Sequence, residues 1–276
     1  MATLCFNAFN RSAWFGVDPD LPAQIDGAAA AGFTLFGPDV FSLAGPPEAL
    51  APDDLGPLDD SASTVAAQLG AHGMRCYEIA ALMVGDDEEG ALRQAAVIAR
   101  LAAVLQPDWV LTNVVTPVDD ALVATLARCA DVIGEAGAGV AVEYLPWTPV
   151  AGARAALDVA SRVGFDRVKV LLDVWHHFRG PDGWVDLDAV PLEAVAYLQF
   201  SDALVMTSDD LVAETLARRV FPGEGEFDLD SWCAHVRAKG FDGVVSVEVL
   251  NDDLRRDLDP AEFAKRAFVA TSRYWK

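Results

Sequence analysis

Short runs rich in β-branched and aromatic residues alternate along this chain with longer Ala- and Leu-rich runs whose apolar positions recur at helical spacing. Such alternation is the mark of βα units around a parallel sheet, since each strand needs a helix to cover its outer face. The pattern predicts strands near Thr3 to Ala8, Phe33 to Gly37, Met74 to Ile79, Trp109 to Thr112, Val140 to Glu143, Val168 to Leu172, Ala196 to Gln199 and Val244 to Glu248, with helices between them. Several strands are entered through a Gly that closes the preceding helix, in Ala31-Gly32-Phe33, His72-Gly73-Met74, Gly137-Ala138-Gly139 and Lys239-Gly240-Phe241, where a left-handed cap is expected.

Eight such units in 276 residues suit a single closed (β/α)₈ barrel spanning 1–276, with no linker that would divide it. A doubly wound sheet would show the same alternation but would need a Gly-rich phosphate loop after an early strand, and no G-x-G-x-x-G is present. The runs Pro38 to Pro57 and Ser201 to Phe227, rich in Pro, Gly and Asp, read as loops over one barrel mouth. In a barrel of this kind the active site lies where the strands end.

Alternation along a strand turns every second side chain into the barrel. Glu143 ends its strand on the face of Ala141, Asp173 follows on the face of Leu171, Gln199 on that of Tyr197, and Glu248 on that of Ser246. Four consecutive strands thus each bring one oxygen ligand to the same rim. Any one such acid could cap the next helix or pair with an Arg. Three carboxylates converging there would repel one another unless a cation sat among them. An all-oxygen set suits Mn²⁺ or Mg²⁺, with Co²⁺ or Zn²⁺ as the alternatives.

Charge removes other functions. Twenty Lys and Arg against 42 Asp and Glu leave a formal charge of −22, which repels nucleic acid. No apolar run reaches the length of a membrane span, and Met1 to Asn10 does not read as a signal peptide. Cys5, Cys76, Cys129 and Cys233 form no C-x-x-C pair, so neither a zinc knuckle nor a disulfide framework is expected, and the reading is of an unprocessed cytoplasmic protein.

Five motifs, in this order, carry a resemblance: Val142-Glu143-Tyr144-Leu145-Pro146-Trp147, Leu172-Asp173-Val174-Trp175-His176, Tyr197-Leu198-Gln199-Phe200-Ser201-Asp202, Arg219-Val220-Phe221-Pro222-Gly223-Glu224-Gly225 and Val245-Ser246-Val247-Glu248. The chain resembles the sugar phosphate isomerase/epimerase superfamily of xylose isomerase-like barrels, which includes ketose 3-epimerases, hydroxypyruvate isomerase, inosose dehydratase and 3-dehydroshikimate dehydratase. The likeness is strong in the C-terminal half and weak in the first. It implies that Glu143, Asp173 and Glu248 bind the metal and that His176 and Arg219 contact substrate. Many members carry His as the fourth ligand where this chain has Gln199, a substitution shared with dehydratase-like members. The resemblance also implies a homo-oligomer.

Arg179, after the sixth strand, is a second candidate for holding substrate, and Trp147, Trp175, Phe9 and Phe36 are candidates for its apolar walls, although core packing is the commoner fate of such residues. Glu224 reads as a turn residue. Lys169, inward by alternation and one layer below Asp173, is either a buried ion-pair partner or a sign of a shifted register. The expected chemistry is proton transfer through an enediolate of a small keto-sugar or cyclic hydroxy-ketone, with Glu143 and Glu248 as base and acid. A dehydratase, with His176 as the acid, is the first alternative. A non-catalytic sugar-binding or partner subunit is the second. An endonuclease IV-like barrel would need more His ligands than His72, His176, His177 and His235 supply. The absence of a Gly-rich phosphate cradle after the last two strands favours a non-phosphorylated substrate.

Overall fold

The computed structural model describes residues 2–44, 56–181 and 183–275. In chain order its elements are β1 (Thr3–Asn7), α1 (Leu21–Ala31), β2 (Leu35–Gly37), α2 (Val40–Ala44), α3 (Gly56–Ala71), β3 (Arg75–Cys76), β4 (Glu78–Val84), α4 (Glu88–Leu105), β5 (Trp109–Val114), α5 (Asp120–Glu135), β6 (Gly139–Glu143), α6 (Ala153–Val163), β7 (Val168–Asp173), α7 (Val174–Arg179), α8 (Gly183–Ala189), β8 (Val195–Phe200), β9 (Asp202–Ala203), α9 (Leu211–Ala217), β10 (Arg219–Val220), α10 (Leu229–Ala238), β11 (Val244–Val247), α11 (Asp252–Asp257) and α12 (Pro260–Ser272).

The main sheet runs β3-β2-β1-β11-β8-β7-β6-β5-β4, and every pairing in it is parallel. Its two ends, β3 and β4, flank Tyr77 and are successive parts of one strand, so the sheet closes on itself as the expected eight-stranded barrel. The third strand therefore reaches Val84, further than the predicted Ile79. Much of the acid content serves this architecture: Asp20, Asp87, Asp119, Asp210, Asp228 and Asp259 each accept a backbone N–H at a helix start. Gly32 closes α1 at φ 108, a conformation that side-chain-bearing residues avoid.

Two cores follow from the alternation. Cys5, Leu35, Tyr77, Leu111, Ala141, Leu171 and Tyr197 fill the barrel interior. Val140, Val142, Val168, Val170, Leu172, Leu198 and Val245 pack outward against the helices. Ala141, Leu171 and Tyr197 are inside, as predicted, which fixes the side on which Glu143, Asp173 and Gln199 project. Lys169 does not disturb that register: it pairs with Ala141 and sits half-buried, with Nζ 5.9 Å from the ring centre of Trp109.

The two long connections depart from the loop reading. In Ser201 to Phe227, β9 and β10 pair antiparallel and α9 joins them. Asp202 pins the Pro222 to Gly225 turn by accepting N–H bonds from Ala203, Gly223, Gly225 and Phe227 at 2.8 to 3.1 Å. A Cβ at Gly225 would collide with the Ala203 carbonyl and the Asp202 carboxylate, so the turn requires Gly there. In Pro38 to Pro57, Val40–Ala44 is helical, while 45–55 lies outside the described residues.

Candidate active site and metal centre

Polar side chains end six barrel strands on the inner face, among them Asn7, Asn113, Glu143, Asp173, Gln199 and Glu248, and all six are buried. Register places Asn113 beside Glu143 and Asp173 beside Gln199. The Asn113 amide donates to Glu143 Oε2 at 2.9 Å, and His176 Nε2 lies 3.2 Å from Glu143 Oε1. Asp173 caps α7, its Oδ1 accepting the N–H groups of Trp175 and His176, and so carries His176 to the rim. Glu248 Oε1 accepts from Asn7 and Gln199, each at 3.1 Å.

Arg219 lies between the two halves. Its Nη1 is 2.8 Å from Asp173 Oδ2 and 3.2 Å from Glu248 Oε2, while Nε and Nη2 both donate to Thr215 Oγ1. Trp175 backs the guanidinium at 5.5 Å. Burial pushes the Asp173 carboxyl up, but the Arg219 charge, with the hydrogen bonds from Arg219 and from the His176 backbone N–H, outweighs it and holds the group below the ordinary carboxylate value. Burial likewise lifts Glu248, against Arg219, and the charges of Glu143 and Asp173 add to the rise, leaving it well above its ordinary value. One guanidinium does not suffice to keep three buried carboxyls ionised together, and the rise at Glu248 expresses that shortfall.

Two observations fit a further cation here. Among the described residues, Glu143, Asp173 and His176 each offer a ligand atom within 4.8 Å of the others. The Gln199 carbonyl oxygen is buried without a hydrogen-bond partner, its amide nitrogen being committed to Glu248. His176 Nδ1 is likewise buried and unpartnered. A divalent ion would supply a partner to the Gln199 oxygen and the missing positive charge.

Of the residues picked out in the sequence, Glu143, Glu248, His176, Arg219, Trp147 and Phe9 line one cavity of about 260 Å³ at the barrel mouth. Asp173 and Gln199 lie beneath it, fully buried. Arg179 does not come to the cavity: it pairs with Glu226 at 2.6 Å and rests on Phe227, because α7 carries it away from His176. Trp175 stands behind Arg219 instead of forming a wall, and Phe36 faces outward, stacked on Phe6 in the helix-side core. Glu224 pairs with Arg266 on the exposed turn.

Four participants were not picked out. The strand pattern predicts an end at Thr112, one residue short of Asn113, although the alternation of Asn113 with Leu111 is the same signal that marks Glu143. Asn7 follows Cys5 in the same way, and Thr215 has no signal apart from its four-residue spacing from Arg219. Glu78 lies deeper in the barrel, bonded to Ser246 and Cys5. Burial raises its carboxyl to about 7.

The chain belongs to the xylose isomerase-like TIM barrel family, whose sequence pattern matches residues 25–268. It is 34% identical over 103 residues to 3-dehydroshikimate dehydratase of Pseudomonas aeruginosa, a stretch covering 36% of this chain and 16% of that protein. It is 26% identical over 133 residues to inosose isomerase of Halalkalibacterium halodurans, covering 48% of this chain and 46% of that one. The matched stretches thus span less than half of these relatives. Among solved structures, the IolI protein with a bound zinc atom superposes with a TM-score of 0.80 at 19% identity, over 99% of this chain and 97% of that chain, a likeness of fold. The family's members catalyse isomerase, epimerase and dehydratase reactions. No helix among the described residues is long and apolar enough to cross a membrane.

Proposed function

We propose that this protein is a divalent-metal-dependent isomerase or epimerase of a small hydroxy-ketone, working by proton transfer. The observation that carries this reading is the placing of two carboxylates, Glu143 and Glu248, in the lining of one cavity from strands separated by β7 and β8. Glu143, Asp173, Gln199 and Glu248 would hold the cation. When bound, it would polarise the substrate carbonyl and make the neighbouring C–H acidic. Mn²⁺ or Mg²⁺ suits the oxygen donors, and the zinc atom bound by the IolI protein keeps Zn²⁺ in view.

The remaining work falls to the chain's own side chains. One of Glu143 and Glu248 removes the proton next to the carbonyl, and the other returns it. Asn113 fixes the carboxylate of Glu143, and Asn7 with Gln199 fixes that of Glu248, so each meets the substrate in one orientation. Return to the opposite face of the same carbon gives an epimer, and return to the adjacent carbon gives an isomer. Arg219, held by Thr215 and Trp175, presents its charge to the enediolate oxygens that develop in between.

A second reading is favoured by the 34% identity to a 3-dehydroshikimate dehydratase. The enediolate then expels a β-hydroxyl, which leaves as water with a proton from His176. The compact cluster of Glu143, Asp173 and His176 also allows His176 to serve the cation in place of Gln199. Manganese-loaded protein incubated in heavy water with ketoses, inososes and dehydroshikimate separates these readings by mass spectrometry. Deuterium gained without loss of water supports the isomerase or epimerase. A product lighter by one water supports the dehydratase. If neither change occurs with any of these compounds, nor with 2-hydroxycyclohexanone or 2-hydroxyacetophenone, proton-transfer chemistry is wrong and a binding role takes its place.

A further inference from the structure

The cavity has two unlike halves. Its floor is polar, with Asn113, Glu143, His176, Arg219 and Glu248. The walls above are apolar: Phe9, Trp14, Phe41, Met83, Leu145 and Trp147. Phe9 is the centre of an aromatic group, with ring centres 6.0 Å from Trp14 and 6.5 Å from Phe41. Around the mouth, large apolar side chains stand open to water, Trp14 by 48%, Met83 by 41% and Trp147 by 38%. Exposed apolar surface continuous with a polar pocket marks a place where a ligand body is covered.

Charge narrows the ligand further. Among the described lining residues, Arg219 is the sole Lys or Arg, and its three nitrogens are committed to Asp173, Glu248 and Thr215. The sequence of residues 45–55 contains no Lys, Arg or His, so that stretch has no cation to lend. Apart from a cation bound in the proposed centre, a phosphate or carboxylate on the substrate would meet Glu143 and Glu248 with no uncommitted Lys or Arg among the described lining residues. A hydroxyl against the aromatic wall would give up its water partner without replacement, at roughly tenfold in affinity for each one.

We propose that the substrate is an uncharged α-hydroxy ketone with its oxygens at one end and an apolar, ring-shaped body at the other. An open-chain polyol, a sugar phosphate and a carboxylated ring are each a poor match. This inference rests on the proton-transfer reading of the same site, to which it adds the substrate class.

Titration calorimetry of the manganese-loaded wild-type protein tests it with 2-hydroxycyclohexanone, 2-hydroxyacetophenone, D-fructose and D-fructose 6-phosphate. The two ring ketones are expected to bind at least about tenfold more tightly than fructose, with the phosphate ester weakest of all. Fructose or its phosphate binding as tightly as the ring ketones overturns the inference, and so does the absence of binding by both ring ketones. Deuterium exchange into the bound ketones is followed separately. Ring ketones that bind in the expected order but do not exchange sink the proton-transfer reading and support the binding preference. Exchange with fructose as the tightest ligand sinks the preference alone.

Discussion

Arg219 donates to Asp173 at 2.8 Å in an ion pair that neither partner shares with solvent. The same nitrogen reaches Glu248 at 3.2 Å, so one guanidinium serves as the positive centre of a site built from three acids. Removing it strands buried charge. Arg219→Met is expected to destabilise the metal-free protein by about 3–5 kcal/mol, the usual consequence of breaking a buried pair. Saturating Mn²⁺ is expected to restore much of that loss, because a bound cation takes over the neutralisation. Urea denaturation with and without chelator measures both terms, and an equal loss in the two conditions would remove Arg219 from this role.

Glu143 and Glu248 are assigned to proton transfer, and their amide variants keep shape while losing basicity. Glu143→Gln and Glu248→Gln are each expected to lower kcat/KM about 10² to 10⁴-fold, within the range of a lost general acid or base. Circular dichroism should show the fold unchanged. A variant that exchanges substrate hydrogen at the wild-type rate would strike that residue from the mechanism.

The two arginines proposed from the sequence should now part company. Arg179 is spent on Glu226 and on the face of Phe227, away from the cavity. Partly exposed pairs of this kind are worth about 0–1 kcal/mol, so Arg179→Ala should leave KM and kcat within a few-fold of wild type. Arg219→Ala should damage both. Steady-state kinetics on whichever ketone exchanges deuterium compares them directly.

Glu78 gives the fold a dependence on pH. Burial lifts its carboxyl to about 7 from an ordinary 4.5, and the charge of Glu143 contributes in the same sense. A carboxyl raised in the folded state stabilises fully below the unfolded value, and that contribution is lost as pH rises through the folded one. Across the window from about 4.5 to 7 the loss is on the order of 3 kcal/mol. Glu78→Gln keeps the neutral shape at every pH, so it should gain on wild type through that window and stay level above it. Urea titrations at pH 5 and pH 8 measure the difference, and an advantage that does not grow with pH would count against a neutral buried Glu78.

How much of this was legible depended on where period two held. Ala141, Leu171 and Tyr197 line the interior, so Glu143, Asp173 and Gln199, two residues on, could be placed at the rim from the sequence. The rule lapses in the third barrel strand. Tyr77 interrupts it, both Tyr77 and Ala80 face inward, and a register shift against β5 falls between Ile79 and Leu82. Glu78 was hidden by that irregularity. Arg179 departs from the sequence expectation for a different reason, since beyond Asp173 the chain turns helical and a few residues suffice to point a side chain out of the cavity. The cavity's apolar walls were legible only in part: Phe9 and Trp147 stand where the sequence suggests, whereas Trp14, Phe41 and Met83 come from separate elements that only the closed barrel brings together.

The rate of deuterium exchange at the substrate carbon, measured by mass spectrometry in heavy water, tests cation-assisted proton transfer most directly. Chelator-stripped wild type, the same protein reloaded with Mn²⁺, and reloaded Asp173→Asn would be compared on one ketone. Exchange that needs the ion and falls at least about 10²-fold in Asp173→Asn is the expected result. Equal exchange by stripped and reloaded wild type, or by reloaded wild type and Asp173→Asn, would contradict it.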